Sequence, residues 1–294
     1  MRKAFLWENT SLWNMALIIL LACILLYVSS IPGFAIVKVI AKIFQIDSRV
    51  FWLTSSTVLH LLFFGLMMWL YFRKILKADF KTLRMGKPEV SLAWIGLSIM
   101  FPLLVLSLYY GISGRPLTYN GQKTITVHIL MAIRAGLIAG ITEEIVFRGL
   151  ILSLFEHKWN QRIAVFVPSV FFALLHFSKE MNAMDYLQVV IAGTLAGILF
   201  SLITISSGSI WNAICFHGLW NALVLRVIPV QTHEYIHGMF TIEYSSTNRW
   251  MTGGAFGIEA GLPAILGYSL LILVIIFFNS RKDHVKKTSQ NLFF

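Results

Sequence analysis

The sequence predicts an all-α, polytopic transmembrane helical bundle of about eight spans. Two observations predict it. Apolar residues make up 57% of the chain and charged residues 13%, where a soluble chain carries about 25% charged residues. The charges also leave long gaps: none falls between Glu8 and Lys38, Arg49 and Arg73, Glu89 and Arg115, Asp185 and Arg226, or Glu259 and Arg281. Each gap is long enough for the roughly 20 residues that cross a bilayer as a helix, which satisfies its own backbone.

Taken in order, the spans are read at about 11–32, 50–72, 90–112, 126–154, 162–178, 186–205, 208–226 and 258–279. The first follows Arg2 and Lys3. It is read as a retained span, because about 20 apolar residues pass without a small-residue cleavage site. The sixth and seventh are separated only by Ser206–Ser209. Residues 1–124 thus hold three N-terminal spans, 125–225 hold spans four to seven, and 226–294 hold an external loop, the final span and a basic tail. Cys23 and Cys215 lie in apolar runs and read as small core residues rather than a disulfide.

The net charge of +11 could suggest nucleic acid, but no aromatic-basic motif accompanies it and no nucleic-acid partner is expected. Basic residues collect on the cytoplasmic side of membrane proteins. Arg2, Lys3, the run Arg73, Lys74, Lys77, Lys81, Arg84 and Lys87, then Lys158, Arg162, Arg281, Lys282, Lys286 and Lys287 fall on one side of an eight-span chain. Both termini are therefore expected to be cytoplasmic. The basic loop near 73–87 is suited to anionic membrane lipids. Gly136 with Gly140, and Gly193 with Gly197, have the four-residue spacing that lets membrane helices approach closely.

Charged and polar groups inside the spans are where chemistry is expected, because a bilayer interior penalises them. The run Ala139–Gly149 holds Glu143, Glu144 and Arg148. At i,i+4, Glu144 and Arg148 can pair, while on an α-helix Glu143 points about 100° away. One carboxylate is then neutralised and the other is available as a general base or acid. The alternative is a single buried ion cluster. His176 stands near the far end of span five. His217 and Asn221 share a face of span seven, where an amide can fix an imidazole or bind an oxyanion. At 1.5 Å per residue, Glu143, His176 and His217 lie about 17, 21 and 14 Å along their spans, depths compatible with one intramembrane site. Arg134 is expected to pair with a glutamate or to snorkel. His60 and His128 read as structural.

The ordered motifs Glu143-Glu144-xxx-Arg148, Phe172-xxx-His176 and His217-xxx-Asn221 resemble those of the CPBP family, the CAAX proteases and bacteriocin-processing or immunity proteins also called Abi. The resemblance covers about residues 125–225. It implies an intramembrane, glutamate-dependent endopeptidase without a metal. Glu143 would activate water with help from His176, His217 and Asn221 would stabilise the oxyanion, and Glu144 and Arg148 would hold Glu143 in place. The substrate would be a peptide or a lipid-modified protein at the membrane, and a bacterial plasma membrane is the expected location. Residues 227–257 carry no motif of the family.

Three other readings stay open at this stage. The segment His233-Glu-Tyr-Ile-His237 matches HExxH, in which two histidines one turn apart hold zinc, with Glu243 or Glu259 as a third ligand. Pro229, Gly238 and the extended pattern of Met239–Tyr244 argue against the supporting helix. A non-catalytic immunity or regulatory membrane protein would keep the polar cluster for structure. A proton-coupled transporter would use it as a relay, but paired broken helices are not evident.

Overall fold

A computed structural model of the chain describes residues 10–120, 125–231 and 238–291. Its helices form two compact units, residues 1–164 with 209–245, and residues 165–208 with 246–294. Six helical stretches are long and apolar enough to cross a membrane: Leu12–Ile43, Arg49–Ile75, Leu92–Ser113, Ile125–Lys158, Ala183–Ser207 and Leu262–Arg281. The other two expected spans are helical but shorter. The fifth is 14 residues, Gln161–Leu174, about 21 Å long against a hydrocarbon core of about 30 Å. The protein is an all-α, polytopic integral membrane protein.

In the first unit, α1 (Leu12–Val28) starts at Ser11, whose hydroxyl accepts from the Asn14 N–H at 3.2 Å. α2 (Ser30–Ile43) follows after a break at Ser29. Pro32 has no N–H to offer the Val28 carbonyl, which accounts for the interruption. The expected first span of 11–32 therefore continues to residue 43. α2 packs on α3 (Arg49–Leu70), and the two backbones meet at Gly33, where a Cβ would lie 2.9 Å from the Leu59 Cβ. Tyr71, in the π turn that extends α3, donates its hydroxyl to the Ile18 carbonyl at 2.8 Å and ties α3 to α1. Leu17, Leu20 and Ile24 of α1 remain exposed, as a lipid-facing helix side requires.

The basic loop after α3 has its own buried anchors, Leu76, Ala78 and Leu83. Its Arg84 pairs with Glu156 at 2.5 Å and donates to Ser153 at 3.3 Å. The same loop fixes the start of α9 (Ile210–Ala222). The Ile210 N–H donates to the Arg84 carbonyl at 3.2 Å, the Trp211 indole to the Gly86 carbonyl at 3.1 Å, and the Ser91 N–H to Asn212 Oδ1 at 3.1 Å. α4 (Leu92–Ser113) packs on α9 and ends at Gly114, in the left-handed region at φ 62°. A three-stranded sheet completes the unit. β1 (Thr118–Tyr119) runs antiparallel to β3 (Phe240–Glu243), which pairs in parallel with β2 (Val230–Gln231). The extended reading of residues 239–244 is thus borne out over Phe240–Glu243.

The second unit contains most of α7 (Gln161–Leu174), α8 (Ala183–Ser207), α10 (Arg249–Thr252) and α11 (Leu262–Asn291). α8 begins with a capping box: Asn182 Oδ1 accepts from the Asp185 N–H and Asp185 accepts from the Asn182 N–H, at 3.0 and 3.1 Å. The second glycine pair lies on its packing face. A Cβ at Gly193 would come within 2.8 Å of the Ala173 Cβ, and one at Gly197 within 2.6 Å of the Ser169 Cβ. The final span begins four residues later than expected, because short 3₁₀ turns at Gly254–Phe256 and Ile258–Ala260 occupy the approach.

Candidate active site

α5 (Ile125–Ile138) leads into a stretch of π-helix, Ala139–Glu143 and Ile145–Ile151, before α6 (Leu152–Lys158) restores the α-helix. The Leu152 N–H, for example, bonds back five residues to Phe147. Widened turns of this kind occur mostly at functional positions. Here they contain Glu143 and Arg148 and flank Glu144 on both sides. A π turn holds more residues than an α turn, so adjacent side chains diverge by less than the 100° assumed from an α-helix.

The first glycine pair sets the facing element. A Cβ at Gly136 would meet the Gly218 carbonyl oxygen at 2.6 Å, and one at Gly140 would meet the Ile214 carbonyl oxygen at 2.8 Å. Only hydrogen at these positions lets α5 and α9 approach so closely. His217 is thereby brought against the glutamates. Its Nδ1 lies 2.8 Å from Glu144 Oε1 and its Nε2 lies 4.0 Å from Glu143 Oε2. One imidazole thus addresses both carboxylates, one at each ring nitrogen.

Glu144 is the more deeply buried member of the pair. It is fully buried, and Oε1 accepts from Arg148 Nη1 at 3.1 Å as well as from His217. Arg148 is itself 2% exposed, so this is a charge pair removed from solvent on both sides. Such pairs hold together only with good geometry and further hydrogen bonds, and His217 supplies one. Because an ionised carboxylate only accepts, His217 donates from Nδ1. Glu143 differs. Its side chain is 25% exposed, while Oε2 of each glutamate is buried with no hydrogen-bond partner among the described residues. The Glu144–Arg148 pair expected from the spacing is therefore present, with an imidazole added to it.

Asn221 is half-buried one turn beyond His217 on α9. His176 belongs to the second unit, in the turn that follows α7. Its Nδ1 lies 2.8 Å from the Phe172 carbonyl. A carbonyl only accepts, so Nδ1 carries the proton and Nε2 is the acceptor nitrogen in the neutral ring. Phe172, the first residue of that motif, thus positions the imidazole through its backbone as well as its ring, 4.7 Å away.

Of the two expectations for Arg134, a glutamate partner or snorkelling along its helix, the glutamate partner is not seen among the described residues. Arg134 Nη1 donates to Ser56 and Thr57 on α3, both at 3.0 Å. It faces α3, two and a half turns from Glu143, and sequence spacing along its own helix carried no sign of those hydroxyls. Gly218 was also missed. It forms the other half of the glycine contact, and Ala222, four residues on and 3.3 Å from a Cβ built at Gly136, gives the small-residue spacing that marks it. His233 and His237 lie outside the described residues. Glu243, considered as a third ligand for them, pairs with Arg115 at 2.7 Å. Among the described residues no group of three or more His, Cys, Asp or Glu side chains is arranged to hold a metal ion.

Residues 125–223 match the family model described as Type II CAAX prenyl endopeptidase Rce1-like. No curated protein and no solved structure matches the chain. The matched segment runs from the start of α5 to the residue after α9 and includes all six candidate site residues, and over that third of the chain the sequence is similar to the CAAX prenyl endopeptidases.

Proposed function

We propose that the protein is an intramembrane, glutamate-dependent endopeptidase that cleaves a peptide or lipid-modified protein at the membrane. The observation that carries this is the asymmetry of the two adjacent glutamates: Glu144 is fully buried with Oε1 held by both Arg148 and His217, whereas the Glu143 side chain is 25% exposed and can meet water. The match to the type II CAAX prenyl endopeptidase family model supports the reaction class and makes prenylated CAAX peptides the first substrates to try.

In this reading Glu143 is the base that takes a proton from the attacking water, and His176 assists through its acceptor Nε2. With His217 as an imidazolium, two carboxylates balance one guanidinium and one imidazolium, so the buried cluster carries no net charge. Nε2–H of His217 is then a donor on the Glu143 side. With the Asn221 amide it would stabilise the oxyanion that develops as water adds to the scissile carbonyl, in a site where low dielectric strengthens such contacts. The proton held by Glu143 passes to the leaving amine, which breaks the C–N bond and releases the amine and a new carboxylic acid, whose proton is lost to water as it ionises. Glu144 and Arg148 position His217 and do not touch the reacting atoms. The mechanism uses no metal.

The test combines metal analysis of the detergent-purified protein with cleavage of a farnesylated peptide ending in CAAX, followed by mass spectrometry. The expected results are no stoichiometric metal, one new peptide end for the wild type, and none for Glu143→Ala or His176→Ala. Stoichiometric zinc lost in His233→Ala would move the chemistry to the external loop. Zinc lost in His176→Ala would make the intramembrane site a metalloprotease.

A further inference from the structure

The segment between the sheet and the last helix has a structure of its own, although its sequence carries no motif of the family. Asn248 caps α10 (Arg249–Thr252), and the chain then turns at Gly253 and Gly254, whose φ values of 76° and 60° are strained for any other residue. Asp185, buried at the start of α8, holds this turn from below. Its carboxylate accepts from Arg249 Nη1 at 2.7 Å, from the Asn182 N–H at 3.1 Å and from the Ala255 N–H. A Cβ at Gly254 would overlap Asp185 Oδ1, so glycine there is what allows the close approach. One turn along α8, the buried Gln188 donates to the carbonyls of Arg249 at 2.9 Å and Ala260 at 3.4 Å. The strap is thus tied at residues 249, 255 and 260.

Phe256 directly follows the Ala255 tie. Its ring packs on the cluster formed by Val189, Ala192 and Ile265 and meets the His176 imidazole edge-on, with centroids 5.8 Å apart at 80°. Phe172 contacts the same imidazole at 60°. The histidine χ2 torsion is broad and roughly two-fold, so one hydrogen bond from Nδ1 leaves the ring able to rock or flip. A second aromatic edge removes that freedom.

We propose that Phe256 is a positioning residue for His176, and that the Asp185 clasp exists to hold it there. The proposal rests on the reading of His176 as part of the reaction. Phe256 keeps the ring in the Nδ1–H form and orients Nε2, without contacting substrate.

The experiment uses the full chain in detergent, labelled with ¹⁵N-histidine. His176 is assigned by its loss in His176→Gln. Phe256→Ala is expected to broaden or shift the His176 signals toward mixed Nδ1–H and Nε2–H tautomers, and Phe256→Tyr to restore the wild-type pattern. On the farnesylated CAAX peptide, Phe256→Ala should lower kcat by about 10- to 100-fold, the scale of a 1 Å misplacement, with little change in KM. Arg249→Gln, at an exposed side chain, should produce the same tautomer change more weakly, and it serves if Phe256→Ala fails to fold. An unchanged His176 tautomer pattern in Phe256→Ala would overturn the proposal. Full turnover by His176→Ala would instead defeat the reading of His176 itself, while the tautomer measurement would still decide whether Phe256 positions the ring.

Discussion

Replacing Gly136 by alanine perturbs the proposed site without touching any of its residues. The new methyl carbon would lie 2.6 Å from the Gly218 carbonyl oxygen, nearly 1 Å inside an ordinary contact of about 3.5 Å. The obstacle is helix backbone, not the end of a flexible side chain, so α9 or α5 must move. Overpacking of this kind costs about 1–3 kcal/mol. The sharper consequence is geometric. His217 precedes Gly218, and its Nδ1 hydrogen bond to Glu144 is 2.8 Å long; a shift near 1 Å breaks that bond and turns Nε2 away from Glu143. A misplacement of that size costs on the order of 100-fold in rate. The assay is turnover of a quenched farnesylated CAAX peptide in proteoliposomes, beside the thermal midpoint of each variant. Gly65, Gly96 and Gly111 are the controls, since a Cβ at any of them meets nothing within 4 Å. Alanine at those positions should leave turnover intact. Wild-type turnover by Gly136→Ala, or equal losses in the three controls, would refute the reasoning.

Glu144→Gln leaves Arg148 without its carboxylate in a fully buried site and should lower stability by about 3–5 kcal/mol, read as a fall in thermal midpoint in detergent. Asn221→Ala should leave that midpoint unchanged but lower kcat about 100- to 1,000-fold, the usual scale of an oxyanion donor; an equal rise in KM with unchanged kcat would contradict the role. Arg134→Met should keep turnover within a few-fold of wild type, since Thr57 already donates its hydroxyl to the Leu53 carbonyl at 2.6 Å and loses only an incoming bond. Loss of activity there would mean that Arg134 belongs to the reaction.

Much of this was legible from spacing alone. The Glu144–Arg148 pair follows from i,i+4 geometry, and it survives even within π-helix at 3.1 Å. Gly136 and Gly140 marked a close helix contact because small residues four apart share a face. Phe240–Glu243 read as extended from its alternating pattern. The rest depended on partners that no local pattern encodes. Widening of the helix at 139–151 changes where Glu143 points, and nothing in the run of residue types distinguishes a π turn from an α turn. That His217 reaches both carboxylates follows from α9 being fixed in height by Arg84, Gly86 and Ser91, all more than 100 residues earlier in the chain. The Asp185 clasp joins residues about 65 positions apart, a pairing that no local spacing marks. Arg134 finds hydroxyls on α3 because two helices distant in sequence pack together.

The central claim is that Glu143, and not Glu144, is the base. The most direct measurement is the single-turnover rate of Glu143→Gln, an isosteric change that keeps hydrogen-bonding atoms in place, on the farnesylated CAAX peptide in metal-free buffer. The account predicts a loss of about 100- to 10,000-fold, the range of a general base, with an unchanged thermal midpoint. A Glu143→Gln enzyme that cleaves within a few-fold of the wild-type rate would contradict it.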